Sequence, residues 1–577
     1  MAVMFEKYQY VFLAIIVVLM FGLAMWSMSQ ESLVIDEFAH IPAGFSYLKF
    51  HDYRLNPEHP PLMKLLAGFP LLFYHTKYDE KLFEQREEWE FGRRFFLLQN
   101  KDMMESMIFA SRMPMILLGL LLCISVFFFA KKLYGAKAGL LASFLTALSP
   151  NILAHTRYVT TDLGITLFYF LSVYFLWRFL QKQTWKNLIL LGVVLGCAFA
   201  SKFTALFIIP VFGILLLIWF FIRDAKPYLS FEKIKNTLST KPFWQTSVLL
   251  AGGFLIALII VVLTYQITGF PHFFEGLSYV MFHSQYGHMA YLFGERSLQG
   301  WVYYFLVAYF FKTPIPEMIF IILSFFFWKK IPEKKWKNEL FLIIPALFYL
   351  ITFMFNNINI GVRHILPVYP FIFVFVSKIV KVQLTSAMKQ KIFTVAVTLI
   401  LIFYAVSNFF IFPYYLAYFN IFAGGPVHGK EILIDSNIDW GQDLKRAAAY
   451  LNENKIEEVY IKYFGFDAIE HYGITANELP CYPVEGVVVI SVNALQGLTE
   501  DLEECYAWLK TYEPISRTGY SLYIYNVTGV STEAKKLLAC KEQCEERCGE
   551  GGSTSLESGW NNETNKCSCK CGKKRTV

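Results

Sequence analysis

From the N-terminus to about residue 412 the chain alternates long apolar runs with short polar loops. Runs of spanning length fall at roughly 8–28, 107–130, 138–154, 162–180, 187–200, 203–222, 246–267, 301–328, 339–355, 365–380 and 392–412. A helix needs ~20 apolar residues to cross a bilayer, so the pattern predicts about eleven transmembrane helices. The run at 187–200 is short, which leaves the division of 187–222 open. The first run, Tyr8 to Met28, is long for a signal-peptide core and no small-residue cleavage site follows; it reads as a retained span. After 412 the period changes. EILIDS, EVYIKYFG, GVVVISV and YSLYIYNV are strand-like, and DLKRAAAYLNEN and TEDLEECYAWLKTY are helix-like, the latter with Thr499 as its cap. Three regions follow: a membrane module over 1–412, an α/β domain outside the membrane over 413–530, and a Cys-rich tail over 531–577.

Charge orients this pattern. Lys131, Lys132 and Lys137, then Lys182 and Lys186, then Arg223 to Lys241, Lys329 to Lys337 and Lys378 to Lys391 make five basic loops. Eleven spans with a cytoplasmic N-terminus put all five on the cytoplasmic side, as positive-inside topology requires. The loops at 29–106, 155–161, around 201–202, 268–300 and 356–364, and the chain after 413, then face outward. Of the 577 residues 56% are hydrophobic and only 17% charged, against about a quarter charged in soluble domains. A net charge of +7 spread over separate loops makes no nucleic-acid patch; the partner this composition implies is membrane lipid.

The outward loops hold the unusual chemistry. IDEFAHIPAGFSYLKFHDYRLNPEHPPL, residues 35–62, places Asp36, Glu37 and His40 directly against an apolar run. One reading is an acidic helix end meeting water. The other is a general base at the mouth of a membrane cavity, where a carboxylate can take a proton from an attacking group. The continuation is amphipathic and broken by Pro57, Pro60, Pro61 and Pro70. It suits helices lying in the interface and roofing such a cavity. Further along come His155 and Asp162, Lys202, then His272, His283, His288 and Glu295, and finally Arg363 and His364. The histidines match no zinc spacing. Lys202 also reads as a snorkelling residue, and Arg363 as a plain loop cation.

The stretch 35–62, with HTRYVTTDLGITLFYF, ASKFTALFIIP, HMAYLFGERSLQGWVYYFLVAYFFKTPIP and NIGVRHILPVYP, resembles the GT-C-type polyprenyl-phosphate-dependent glycosyltransferases. These include protein O-mannosyltransferases and lipid A aminoarabinose transferases, and the nearest branch is family-39-like. SNIDWGQDLKRAAAYL resembles the start of that branch's C-terminal extension. The resemblance implies a polytopic helical fold and transfer of a sugar, hexose or pentose, from a polyprenyl-phosphate donor to a protein, lipid or glycan acceptor. It implies Asp36 as catalytic base, Glu37 as an acidic neighbour that orients acceptor or metal, and Asp162 as a second acid. Lys202 and Arg363 match cations that contact the donor phosphate. His59 stands where the aminoarabinose transferases carry Lys before Pro-Pro, so its hold on phosphate is weaker. His40, His155, His288 and Glu295 are candidate acceptor or sugar contacts. A divalent ion at Asp36, Glu37 and Asp162 is compatible with the resemblance and not required by it. The implied membrane is a plasma membrane. A lipid-sugar transporter is the rival reading, but it should place charge at mid-bilayer and show repeated halves; a non-catalytic glycan-binding scaffold is a third.

The cysteines divide by place. Cys123 and Cys197 lie in spans, Cys481 and Cys505 in the outer domain, where they can pair, and six in the tail. The tail set (540, 544, 548, 567, 569 and 571) suits a disulfide knot or a metal site, and spacing does not choose. Asn526-Val-Thr and Asn562-Glu-Thr are formal sequons.

Overall fold

The computed structural model describes residues 2–221, 241–331, 336–498, 502 and 505–530, and in the tail 540, 544, 553–561 and 566–573. The basic loop after residue 222, Thr499, Cys548, Asn562 and the side chains of Cys569 and Cys571 lie outside the described residues.

The protein is a multi-pass helical membrane protein, and each of the eleven apolar runs contains helix. Seven helices are long and apolar enough to cross a bilayer: Glu6–Ser29, Lys101–Tyr134, Asp162–Gln181, Phe203–Phe220, Lys241–Thr264, Trp336–Met354 and Ala387–Ile411. Two further runs are broken rather than straight. Ala136–Ala147 and Pro150–Thr156 meet at 63°, and Tyr304–Lys312 and Ile315–Phe326 at 106°. The breaks fall at Ser149-Pro150 and at Thr313-Pro314, where proline cannot continue the preceding hydrogen-bond ladder. The other two runs form shorter helices, Trp185–Phe199 and Val368–Val376. Counting each bent pair as one span gives up to nine candidate spans among the described residues, fewer than the eleven expected.

The long segment after the first apolar run is helical as well. Ile35–Phe50 packs on Leu62–Gly68, which runs on into the 3-10 turn Phe69–Phe73. Two glycines make the crossing tight. A Cβ on Gly44 would lie 1.8 Å from the Lys64 carbonyl oxygen, and one on Gly68 2.3 Å from the Gly44 carbonyl carbon. Phe69 and Phe73 remain exposed, as suits a helix at the bilayer surface. The Leu62 amide donates to the Ala200 carbonyl at 2.9 Å, which ties this layer to the corner that carries Lys202.

The chain divides into two compact units, Met1–Gln442 with Gly465–Asp467, and Asp443–Phe464 with Ala468–Val577. Residues 413–442 therefore group with the membrane helices rather than with the α/β domain expected to start at 413. EILIDS forms no strand: it is a string of 3-10 turns, Gly429–Glu431 and Asp435–Asn437. Its polar groups bond to neighbouring loops instead of to a ladder, as described below. The membrane unit also holds a hairpin of β1 (Ala290–Leu292) and β2 (Glu295–Ser297).

In the second unit, β3 (Glu458–Lys462), β4 (Thr475–Glu478), β5 (Gly486–Ser491), β6 (Ser516–Thr518) and β7 (Leu522–Val527) form one sheet in the order β4-β3-β5-β7-β6. β3 runs parallel to β4 and β5, while β7 runs antiparallel to β5 and β6. The helix Leu444–Glu453 lays Leu444, Ala447, Ala448 and Leu451, one helical face, into the core with Val489 and Ile524. A disulfide joins Cys481 and Cys505. In the tail a second disulfide joins Cys540 and Cys567, with the Cys544 sulfur 3.4 Å from that of Cys567. Among the described residues these three sulfurs are the group close enough to share a metal, but all three are already in disulfides.

Candidate active site

Four charged side chains meet where loops between the helices of the membrane unit converge. Asp36 stands in the first turn of Ile35–Phe50, where the helix dipole favours an anion. Asp162 opens the helix Asp162–Gln181. Lys202 precedes the 3-10 turn Phe203–Phe207, and Arg363 lies in the 3-10 turn Val362–Ile365. Lys202 Nζ donates to Asp162 Oδ1 at 2.6 Å. Arg363 Nη1 lies between the two acids, 3.2 Å from Asp36 Oδ2 and 3.4 Å from Asp162 Oδ2. Two carboxylates thus balance two cations. The two acids differ in access: the Asp36 side chain is 24% exposed and that of Asp162 1%. The cations also have donors to spare. Among the described residues nothing accepts from Arg363 Nη2, and Lys202 Nζ uses one of its three hydrogens.

Glu37 does not join them. It is fully buried and faces Arg112, which reaches its carboxylate at 2.8 and 2.5 Å. The Val34 and Val159 amides each donate to it at 3.0 Å. Neighbours on a helix diverge by about 100°, so Asp36 and Glu37 face different surroundings. Glu37 therefore pins the loop before the helix instead of reaching acceptor or metal. Arg157 and Glu31 make a second buried pair, at 2.6 and 2.8 Å. Because Glu37 faces Arg112 and each Asp162 oxygen faces a cation, the expected trio Asp36, Glu37 and Asp162 does not offer one set of ligand oxygens to a divalent ion.

The predicted histidines surround the quartet at different depths. His40, one turn beyond Asp36, bonds through Nδ1 to the Val159 carbonyl at 2.9 Å, so that nitrogen carries the proton. His59 lies 6.0 Å from His40, ring to ring. Burial, with the charges of Lys202, His40 and Lys64, outweighs the pull of Glu58 and pushes His59 down to about 3. It is neutral at pH 7 and offers hydrogen bonds rather than charge to a phosphate. His155 is fully buried and edge-on to Trp440 at 6.0 Å. His288 is half-buried and 5.7 Å from His283, whose Nδ1 stands 3.6 Å from Glu58 Oε1. Glu295 is exposed at the β1–β2 hairpin, and among the described residues no ion pair or hydrogen bond joins it to the four.

Several contributors escape sequence reasoning. Trp440 Nε1 donates to Asp36 Oδ1 at 3.3 Å, and the Arg363 guanidinium lies 4.1 Å from the centre of the Trp440 ring. Ser436 Oγ accepts from Arg363 Nε at 3.1 Å. Lys64, buried, donates to the Asn56 and His59 carbonyls at 2.6 and 3.0 Å and shapes the turn that carries His59. The available signal was the density of Asp, Ser, Asn and Trp in SNIDWGQD so soon after an apolar run.

The architecture is that of a multi-pass helical membrane protein that gathers charged side chains among the loops between its helices. Residues 101–232, which contain Asp162 and Lys202, match the family model of dolichyl-phosphate-mannose-protein mannosyltransferase. The match covers less than a quarter of the chain. Among solved structures the chain is similar to ArnT from Cupriavidus metallidurans bound to undecaprenyl phosphate, at 14% identity and a TM-score of 0.45, over 91% of this chain and 100% of that one. It is also similar to the oligosaccharyltransferase of Archaeoglobus fulgidus in the apo form, at 12% identity and a TM-score of 0.49, over 97% of this chain and 82% of that one. No curated protein matches the chain.

Proposed function

We propose that this protein moves a sugar from a polyprenyl-phosphate donor to a protein, lipid or glycan acceptor on the outer face of a plasma membrane, with inversion at the anomeric carbon. The N-terminus is cytoplasmic and the α/β domain outside, as the five basic loops favour. The convergence of Asp36, Asp162, Lys202 and Arg363 carries this reading. Asp36 is the acid that an acceptor can reach, and it acts as general base. Asp162 is sealed and holds the two cations in place. The unengaged hydrogens of Arg363 Nη2 and Lys202 Nζ receive the donor phosphate.

The charges stay matched through the reaction. The acceptor oxygen bonds to the anomeric carbon while the bond from that carbon to the phosphate oxygen breaks. The electron pair leaves with the phosphate, and the acceptor proton goes to Asp36. Asp36 loses one negative charge as the phosphate gains one, and Arg363, beside both, shifts its pairing from the first to the second. Purified protein offered a panel of polyprenyl-phosphate sugars is expected to turn over at least one of them; the absence of transfer from every sugar tried, to peptide, lipid and glycan acceptors alike, would count against the proposal.

A further inference from the structure

The stretch Asp435–Gln442 is stitched to both halves of the site. On the side of the base, Ile35 N donates to the Trp440 carbonyl at 3.0 Å, and Ser32 donates through N to the Gln442 carbonyl at 3.0 Å and through Oγ to that of Gly441 at 2.9 Å. On the side of the cation, Val362 N donates to Asn437 Oδ1 at 3.0 Å, and Ser436 Oγ lies between Arg363 Nε at 3.1 Å and the Ile360 carbonyl at 2.7 Å. Buried Lys312 fixes the stretch from below by donating to the Asn437 carbonyl at 2.5 Å. At the centre stands Trp440, 2% exposed, with His155 and Tyr158 edge-on at 6.0 Å. Its indole N–H reaches Asp36 and its face carries Arg363.

We infer that Trp440 is the positioning residue that couples the base to the phosphate clamp. It rests on the function proposed above. The indole hydrogen occupies Asp36 Oδ1 and aims Oδ2 toward Arg363. The indole face fixes the guanidinium plane, so that Nη2 stays turned to the donor. The two contacts come from different parts of one ring, so they can be removed separately. A tryptophan that only filled space would not divide in this way.

The test replaces Trp440 in the full-length protein with Phe, which keeps a face and loses the N–H, and with Leu, which loses both. For the transfer reaction, W440F is expected to lower kcat about tenfold, the effect of one hydrogen bond to a charged group, with donor KM within about twofold of wild type. W440L is expected to weaken binding of undecaprenyl phosphate, used alone as the probe, by about tenfold as well, the scale of a desolvated cation–π contact. Should W440F fail to fold, benzothienylalanine at 440 puts sulfur in place of the N–H at the same size and is expected to show the same loss of kcat. Wild-type kcat in that isostere or in W440F, or kcat and binding falling together in W440F, would overturn the inference. The function fails separately: if D36N is inactive while W440F is as fast as wild type, only the role of Trp440 is lost.

Discussion

Arg363 touches two carboxylates and an indole at once, and its geometry matters as much as its charge. Nε and Nη1 are held by Ser436, Asp36 and Asp162, so in the proposed function Nη2 is the arm for phosphate. A lysine there keeps the charge and loses the fork. R363K is therefore expected to raise the donor KM by about ten- to a hundredfold, corresponding to one or two charge-assisted hydrogen bonds, as measured by steady-state transfer. Removing Asp162 should act differently, because it strands buried Lys202 and leaves Arg363 with Asp36 alone. D162N is expected to lower thermal stability in detergent by about 3 kcal/mol or more, read as the melting midpoint. Asp36, Asp162, Lys202 and Arg363 each border apolar chain in the sequence, and the family resemblance, not their isolation, implies a common site. Glu37 was misread for a physical reason. Adjacency in sequence does not imply a shared site, because neighbouring side chains point to opposite faces of a strand and diverge by about 100° on a helix, as Asp36 and Glu37 do here.

Among the elements, the helical segment after the first apolar run has the narrowest tolerances. The Ile35–Phe50 and Leu62–Gly68 helices approach through Gly44 and Gly68, and even a methyl group at Gly44 would meet backbone at 1.8 Å. G44A is expected to displace the helix that carries Asp36 and to abolish transfer while the α/β unit stays folded, as limited proteolysis would show. The Glu58–His283 pair adds pH dependence to this layer. Burial alone would raise Glu58, but the nearby His283 and His59 imidazoles hold it at about 2. Glu58 in turn raises His283 above 6.5. The pair's contribution is therefore complete between the ordinary values of 4.5 and 6.5. It is lost on the alkaline side as pH rises through the raised His283 value, and on the acid side as pH falls toward 2. H283Q is expected to flatten the alkaline decline in melting temperature above pH 6.5; an unchanged decline would rule the pair out as its source. Most helices could be read from hydropathy, since a bilayer demands long apolar runs. The breaks at Pro150 and Pro314 depend on local chain direction, and EILIDS misled because its alternation mimics a strand while its polar groups bond to loops distant in sequence.

At the scale of the whole molecule the chain is a membrane unit and an α/β unit. The sheet was foreseen from three of its five strands, and the missing β4 and β6 are short edge strands of four and three residues with little apolar pattern to detect. The division at 442 rather than 412 has a functional consequence. Truncation after residue 412 is expected to abolish transfer, because it removes Ser436 and Trp440 along with the α/β unit, whereas truncation after 442 should retain binding of undecaprenyl phosphate. The central claim is that Asp36 does chemistry at a phosphate-binding site it shares with Asp162, Lys202 and Arg363. Single-turnover transfer by D36N, measured beside its donor affinity, tests this most directly. The account predicts donor binding close to that of wild type and transfer reduced at least a hundredfold, the lower range for loss of a general base. Transfer by D36N at the wild-type rate would contradict it.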